Sequence, residues 1–525
     1  MEWIFSELSQ DLKSRDYNST GLGLFAGVFA CAFLLFSSNQ ALTQTLVCSE
    51  EMRNDHDIEQ VQAIAYHDTL IHVIEERDDH VLRWTSYGAE SMLTVRSTFI
   101  RPAVDGDKLV RFFVRQSIIT TIFERRNRNA ESTEIYVTQY DRDGKCLLPE
   151  KLIHTQHDRS EQRRNSFECK LSPDSSHILV YFDSEKERKH SEGISFKCYS
   201  NEWTLQWEKD MRLPPSTDVL QPHHFIVDNE GGVYMMSGRK PVKAAADWTH
   251  PQGGKYVVYH YNPALNKLKQ YDINLKDKQV VSVDFMLNQK QELVIAGYYS
   301  DNFQNRASGT LLFCIQAGGG PIKTASYTPF ARGFIKEMTG KEKGTLDEFY
   351  LDYLYLTDSG TVVLAGEQYY VSRLVSTDPT TGRQLVEYRY NFDDIMVCMM
   401  DTAAQHLWNV RIPKKQFTSI LNDANCSYSC ALAENMVSLT FNDSEANNSR
   451  EKSGNPTEAV AWTGSKNSVT TRVDLGFDGF YKRYTLVDNS EERLLFNPFM
   501  CISASWSQRF LGLQDKRSYK FCRIR

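Results

Sequence analysis

Seven side chains in one stretch have the types that could handle a ligand: Glu367, Tyr369, Tyr370, Tyr388, Tyr390, Asp393 and Asp394. The carboxylates could accept hydrogen bonds or protons, and each tyrosine offers a flat apolar ring with a polar tip. It is the most concentrated polar and aromatic set in the chain. If the rings line one rim, they could stack on a sugar or a peptide. The plainer alternative, which we favour, is that they brace a long insert against the sheet that carries it. Other constellations are weaker. Asp141-Arg142-Asp143-Gly144 opens like a calcium loop but lacks the third oxygen ligand and the distal Glu. His223-His224 has no third ligand nearby, and Cys426 and Cys430 have no second pair at zinc spacing. Gly318-Gly319-Gly320 precedes no helix, so it is no phosphate cradle. There is no Gly-x-Ser-x-Gly elbow. The expectation is therefore no catalytic residues, no metal and no cofactor.

These residues must be positioned by the unit from Phe349 to Gln416. Asp352-Tyr353-Leu354-Tyr355-Leu356, the turn Thr357-Asp358-Ser359-Gly360 and Thr361 to Gly366 make one hairpin. Ile395 to Met400, the turn Asp401 to Ala404 and Leu407 to Val410 make a second. Such a four-stranded meander cannot bury both faces alone, so copies must stack. Hairpins of this kind start eight times, at intervals of about 60 residues, longer than the 40 to 50 of compact propeller repeats. The expected fold class is all-β: a single β-propeller of eight four-stranded blades, with seven as the alternative. The second unit is expected to open with Phe99 to Val104 and Leu109 to Val114 across Asp105-Gly106-Asp107. The seventh should close with Ala459 to Trp462 and Thr471 to Leu475, and a short helix should lie between Phe330 and Lys341. The last unit, ending at Tyr519 to Ile524, is one strand short. Thr43 to Cys48, an isolated strand candidate, could complete it by pairing the two chain ends, and a Cys48–Cys522 disulfide could lock that closure.

Composition excludes some functions. With 60 Lys plus Arg against 67 Asp plus Glu the formal charge is −7, which gives nucleic acid no electrostatic footprint. Gly21 to Phe36 is almost wholly apolar, follows Lys13 and Arg15, and leads into small polar residues, the shape of a secretory signal. The division expected is residues 1–41 as a signal peptide or N-terminal anchor and 42–525 as the propeller domain. Contact with membrane would follow only if residues 21–36 are retained.

One segment adds a resemblance. Gly366-Glu367-Gln368-Tyr369-Tyr370, then Tyr388-Arg389-Tyr390-Asn391-Phe392-Asp393-Asp394-Ile395, then Trp408 and Arg411-Ile412-Pro413-Lys414-Lys415-Gln416, resembles a segment of uncharacterised secreted β-propeller-like proteins of Bacteroidota-type bacteria. That resemblance implies an exported bacterial propeller located in the periplasm, at the cell surface or outside the cell, and it brings no catalytic residues with it. The functional expectation is an exported non-catalytic binding or scaffold module. It would use loops on one face to hold an unknown protein or glycan. The alternative is a carbohydrate- or peptide-active enzyme with its site at the central channel mouth.

Overall fold

The hairpin rhythm becomes eight antiparallel sheets, each built on four strands. The computed structural model describes residues 46–524, apart from 54–60, 77–80, 101–103, 158–166, 184–192, 213–218, 241–254, 302–305, 378–381, 448–458 and several shorter stretches. The expected signal or anchor, residues 1–41, lies outside the described residues. The first strands of sheets one to eight are Val61–His67, Lys108–Arg115, Phe167–Leu171, Val219–Val227, Gln279–Leu287, Phe349–Leu356, Ser429–Ala433 and Leu495–Ser505. In the first seven sheets the next three strands follow in chain order.

The turns show why this sequence folds into meanders. At Asp141, Asp228, Asn288 and Asp401 the side-chain Oδ1 accepts from the backbone N–H groups two and four residues on, at 2.6–3.0 Å. Three residues after each, Gly144, Gly231, Gln291 and Ala404 take a positive φ. This is one turn used repeatedly: a polar side chain substitutes for missing ladder bonds, and one left-handed residue returns the strand. Asp141 and Gly144 of the calcium-like stretch belong to this series, and Asp143 pairs with Arg96. The first strands share a second device. Pairing slips by one residue at Val110, Val281 and Asp352, a bulge that bends each strand and sharpens its twist.

Middle strands are buried on both faces, as Leu293–Ser300 is along its whole length. Outer strands alternate, as Ile322–Pro329 does. The apolar side chains gather in eight clusters, each shared by two sheets. Ile74 and Trp84 of the first sheet meet Leu109 and Phe123 of the second, and the series continues in chain order. Ile71 and Tyr87 of the first sheet also meet Phe510 and Phe521 of the eighth. Each sheet therefore covers both its faces on neighbours, at about 2 kcal/mol for each large side chain removed from water.

The eighth sheet is completed from the other end of the chain. Leu46–Cys48 pairs antiparallel with Ser518–Ile524, Leu46 opposite Ile524 and Cys48 opposite Cys522. Those two cysteines form a disulfide with a Cα–Cα distance of 4.0 Å. Ser49 continues the seam through Phe521, its N–H reaching the carbonyl at 2.8 Å.

Two boundaries differ from expectation. Thr94–Ile100 is the last strand of sheet one, and sheet two begins with Lys108–Arg115 and Ile118–Asn127. Of the expected turn Asp105-Gly106-Asp107, Asp105 lies outside the described residues, and Gly106 and Asp107 lie in a link between sheets, with Asp107 buried and held by Arg125 at 2.6 Å. In sheet seven the outer pair is Ser468–Gly476 and Tyr481–Asp488, while Trp462 makes one isolated bridge to Gln416. Tyr481–Asp488 was missed because an outer strand faces water and carries charged residues where a core strand would not. The helix Arg332–Thr339 falls where expected, with Phe334 and Ile335 buried.

Candidate functional site

The sixth sheet carries an arm. Its second and third strands, Val362–Thr377 and Gln384–Met400, run on together beyond the first strand, whose pairing ends at Phe349 opposite Gln368. The insert expected between these strands is thus a continuous two-stranded ribbon. Paired residues share a face. Tyr369 pairs with Phe392, Val371 with Tyr390 and Arg373 with Tyr388, whereas Tyr370 pairs with Asn391 on the opposite face. The single rim of four tyrosines therefore does not form. Tyr369 packs on Phe392 with ring centroids 5.0 Å apart. Tyr390 is half-buried, and Tyr388 stands in solvent, 52% exposed.

The three carboxylates face inward. Tyr370 donates from its hydroxyl to Asp393 Oδ2 at 3.0 Å. Burial raises the Asp393 carboxyl, against that bond and the nearby Lys414 ammonium. Asp394 accepts from Arg411 at 2.7 Å, and Arg411 also donates to the Glu337 carbonyl in the short helix. Glu367 is buried and lies 2.6 Å from Lys414 Nζ. Burial pushes its carboxyl up, and the ammonium is the largest opposing influence.

Lys414 sits in the link from sheet six to sheet seven and is itself 1% exposed. It also donates to the Phe392 carbonyl at 2.7 Å and Gln416 Oε1 at 2.9 Å. Gln416 donates to the Asn442 carbonyl of sheet seven at 2.7 Å, and Asn442 donates to the Phe496 carbonyl of sheet eight at 2.7 Å. Lys414, Gln416 and Asn442 therefore form a polar spine joining three sheets. Chain spacing gave no hint that Lys414 reaches back to Glu367, because the two lie on separate elements far apart in the sequence.

Asp352, at the bulge of the sixth sheet's first strand, was also missed. It touches solvent, yet protein crowds it enough that burial, then the Glu367 charge, lifts its carboxyl well above the usual range. Tyr428 donates to it at 3.0 Å. Among the described residues no group of three or more His, Cys, Asp or Glu is arranged to hold a metal. The side chains of His223 and His224 lie outside the described residues.

One acid beside this spine gives a pH signature. Asp443 is fully buried, accepts from Arg483 at 3.0 Å and from Asn447 at 2.6 Å, and is raised by burial to about 6. The folded chain thus keeps a proton that the unfolded chain releases near 3.8. The stability this group contributes is fully present below that value and is lost as pH rises to about 6, by about 3 kcal/mol. Urea titrations at pH 4 and 7 should show that fall in the wild type and a smaller one in Asp443→Asn. Equal pH dependence in both would rule out the assignment.

No protein-family model and no curated protein matches this chain. Among solved structures it is similar to the polysaccharide lyase Uly1, at 12% identity, covering 79% of this chain and 89% of that one with a TM-score of 0.37. It is similar to prolyl endopeptidases at 10% identity, over 87% of this chain and 54% of theirs, with a TM-score of 0.38. A third is the β-propeller domain of the Trilobed protease from Pyrococcus furiosus, at 10% identity over 82% and 96% with a TM-score of 0.35. Overlaps this distant transfer no chemistry.

Proposed function

We propose that the protein is an exported, non-catalytic binding or scaffold module, an eight-bladed propeller closed at its paired ends, which offers the sixth-sheet arm to a partner protein. The arm's exposed apolar face carries this reading. Val371, Val375, Val386 and Tyr388, on one face with Arg373 set among them, are 42–53% exposed. A two-stranded ribbon is marginal alone, and a contiguous apolar face in water marks a contact surface. Beyond Gln368 the outer edge of Val362–Thr377 has no strand beside it among the described residues, so an extended segment could add there. In the sequence of the arm Arg373, Arg383 and Arg389 outnumber Asp378 and Glu387, which favours an acidic segment. Glu367, Asp393 and Asp394 are engaged within their own junction. Asp352 alone is a poor basis for hydrolysis by paired acid and base. Export is supported by the apolar run 21–36 and by a disulfide, which persists in oxidising compartments.

A photo-reactive residue at Val375 of the full chain, in cells that make it, tests the reading. We expect one discrete adduct with another protein, at an acidic extended segment, lost when Val386 and Tyr388 become lysine. An adduct pattern no different from a probe at the exposed Leu265, or adducts only within the chain, would refute it.

A further inference from the structure

A second buried charged cluster lies between sheets seven and eight, away from the arm. Arg509, in the strand Gln508–Gln514, is 4% exposed, and Arg472, in Ser468–Gly476, is 3% exposed. Both guanidiniums converge on one hydroxyl. Arg472 Nε reaches Ser438 Oγ at 3.1 Å, and Arg509 Nη1 meets the same oxygen. Arg509 Nη2 also reaches the Ser438 carbonyl at 3.3 Å and Thr440 Oγ1 at 3.4 Å. The acid in contact among the described residues is Asp474, which takes Arg472 Nε at 2.6 Å and the Ser438 hydroxyl at 2.5 Å. Among the described residues Arg509 therefore has neutral hydrogen-bond acceptors and feels Asp474 only at a distance, beside a second cation that Asp474 already engages.

Among the described residues the other titratable groups supply no countercharge. The thiols of Cys430 and Cys501 act on Arg509, but burial pushes them up to about 12 and about 11. Tyr484, beside Asp474 and Arg472, is raised as well, and burial lifts the Tyr355 hydroxyl far above neutrality. A guanidinium does not release its proton at any ordinary pH. An unpaired charge held out of water is costly, and a counterion would relieve that cost.

We propose that this cluster is a binding site for a small monovalent inorganic anion of chloride's size, held between the Arg472 and Arg509 guanidiniums with Ser438 and Thr440 alongside. Bound there, the anion balances the surplus charge and ties sheet seven to sheet eight beside the disulfide seam. It would stabilise the assembly by mass action, as any ligand does that binds only the folded state.

The test is thermal unfolding of the intact protein in sodium chloride against sodium gluconate at equal ionic strength. We expect a Tm several degrees higher in chloride, saturating with concentration, and no such difference in Arg509→Met. Should that variant not fold, wild-type crystals soaked in bromide should show an anomalous peak within hydrogen-bonding range of both guanidiniums. Identical melting in the two salts would overturn the proposal, as would an unchanged chloride response in Arg509→Met or a bromide-soaked crystal with no peak there.

Discussion

Serine at either Cys48 or Cys522 should lower the unfolding midpoint more than any surface change in this protein. The disulfide spans 474 residues, almost the whole described chain. In the chain-entropy account a loop of that length contributes about 6 kcal/mol, an upper figure because compact unfolded chains lose less. The three-residue strand Leu46–Cys48 is otherwise held by its pairing to Ser518–Ile524 and by Leu46 and Cys48 packing beside Leu511 and Ile524. Without the covalent tie, the last sheet should open by releasing its chain ends. Melting with and without reductant measures this. Reduction should shift the wild type by the same amount as the serine substitutions and leave those variants unmoved. A Cys522→Ser midpoint within a degree of wild type would show that the seam needs no lock.

Lys414→Met should be the costliest change in the sixth-to-seventh junction, losing about 3 to 5 kcal/mol, because it strands Glu367 as a buried charge. It also removes donors from the Phe392 carbonyl and Gln416. The double variant Glu367→Leu/Lys414→Met should recover much of that loss, since an apolar pair of similar volume is tolerated where a broken ion pair is not. Acid should also reduce the single variant's loss. With Lys414 absent, Glu367 is protonated on folding, so the penalty shrinks as pH falls toward the ordinary glutamate range. Denaturant titrations of the four members of the cycle give the coupling energy directly. Additive effects, or a single-variant loss under about 1 kcal/mol, would mean that Glu367 and Lys414 are not a structural pair.

Local reading succeeded where local chemistry decides. The turns at Asp228, Asp358 and Asp401 and the apolar runs at Leu293 and Val362 mark hairpins within a few residues, because turn geometry and strand alternation are settled by neighbours in the chain. It failed at Tyr481–Asp488 and at Phe99 to Val104. The first is an outer strand that keeps its charges in water, and the second straddles the boundary between two sheets, where apolar character alone does not say to which a residue belongs. The candidate site divided the same way. Glu367, Asp393 and Asp394 do lie close together, but Tyr370 turns to the other face from Tyr369, a consequence of the two-residue period that a list of aromatic residues hides.

From the chain alone, the strand-rich, hairpin-by-hairpin character and even the pairing of the first and last strands could be reasoned out, because each follows from short-range patterns and from the need to cover unsatisfied edges. Only the folded arrangement decided that Lys414 seals Glu367, that Tyr428 donates to Asp352, and that Arg472 and Arg509 converge on one serine. Those contacts join residues from 34 to 76 positions apart, on different strands and often different sheets. Their energies depend on burial and on where a side chain's few tenths of a nanometre finally point, which no spacing along the chain encodes.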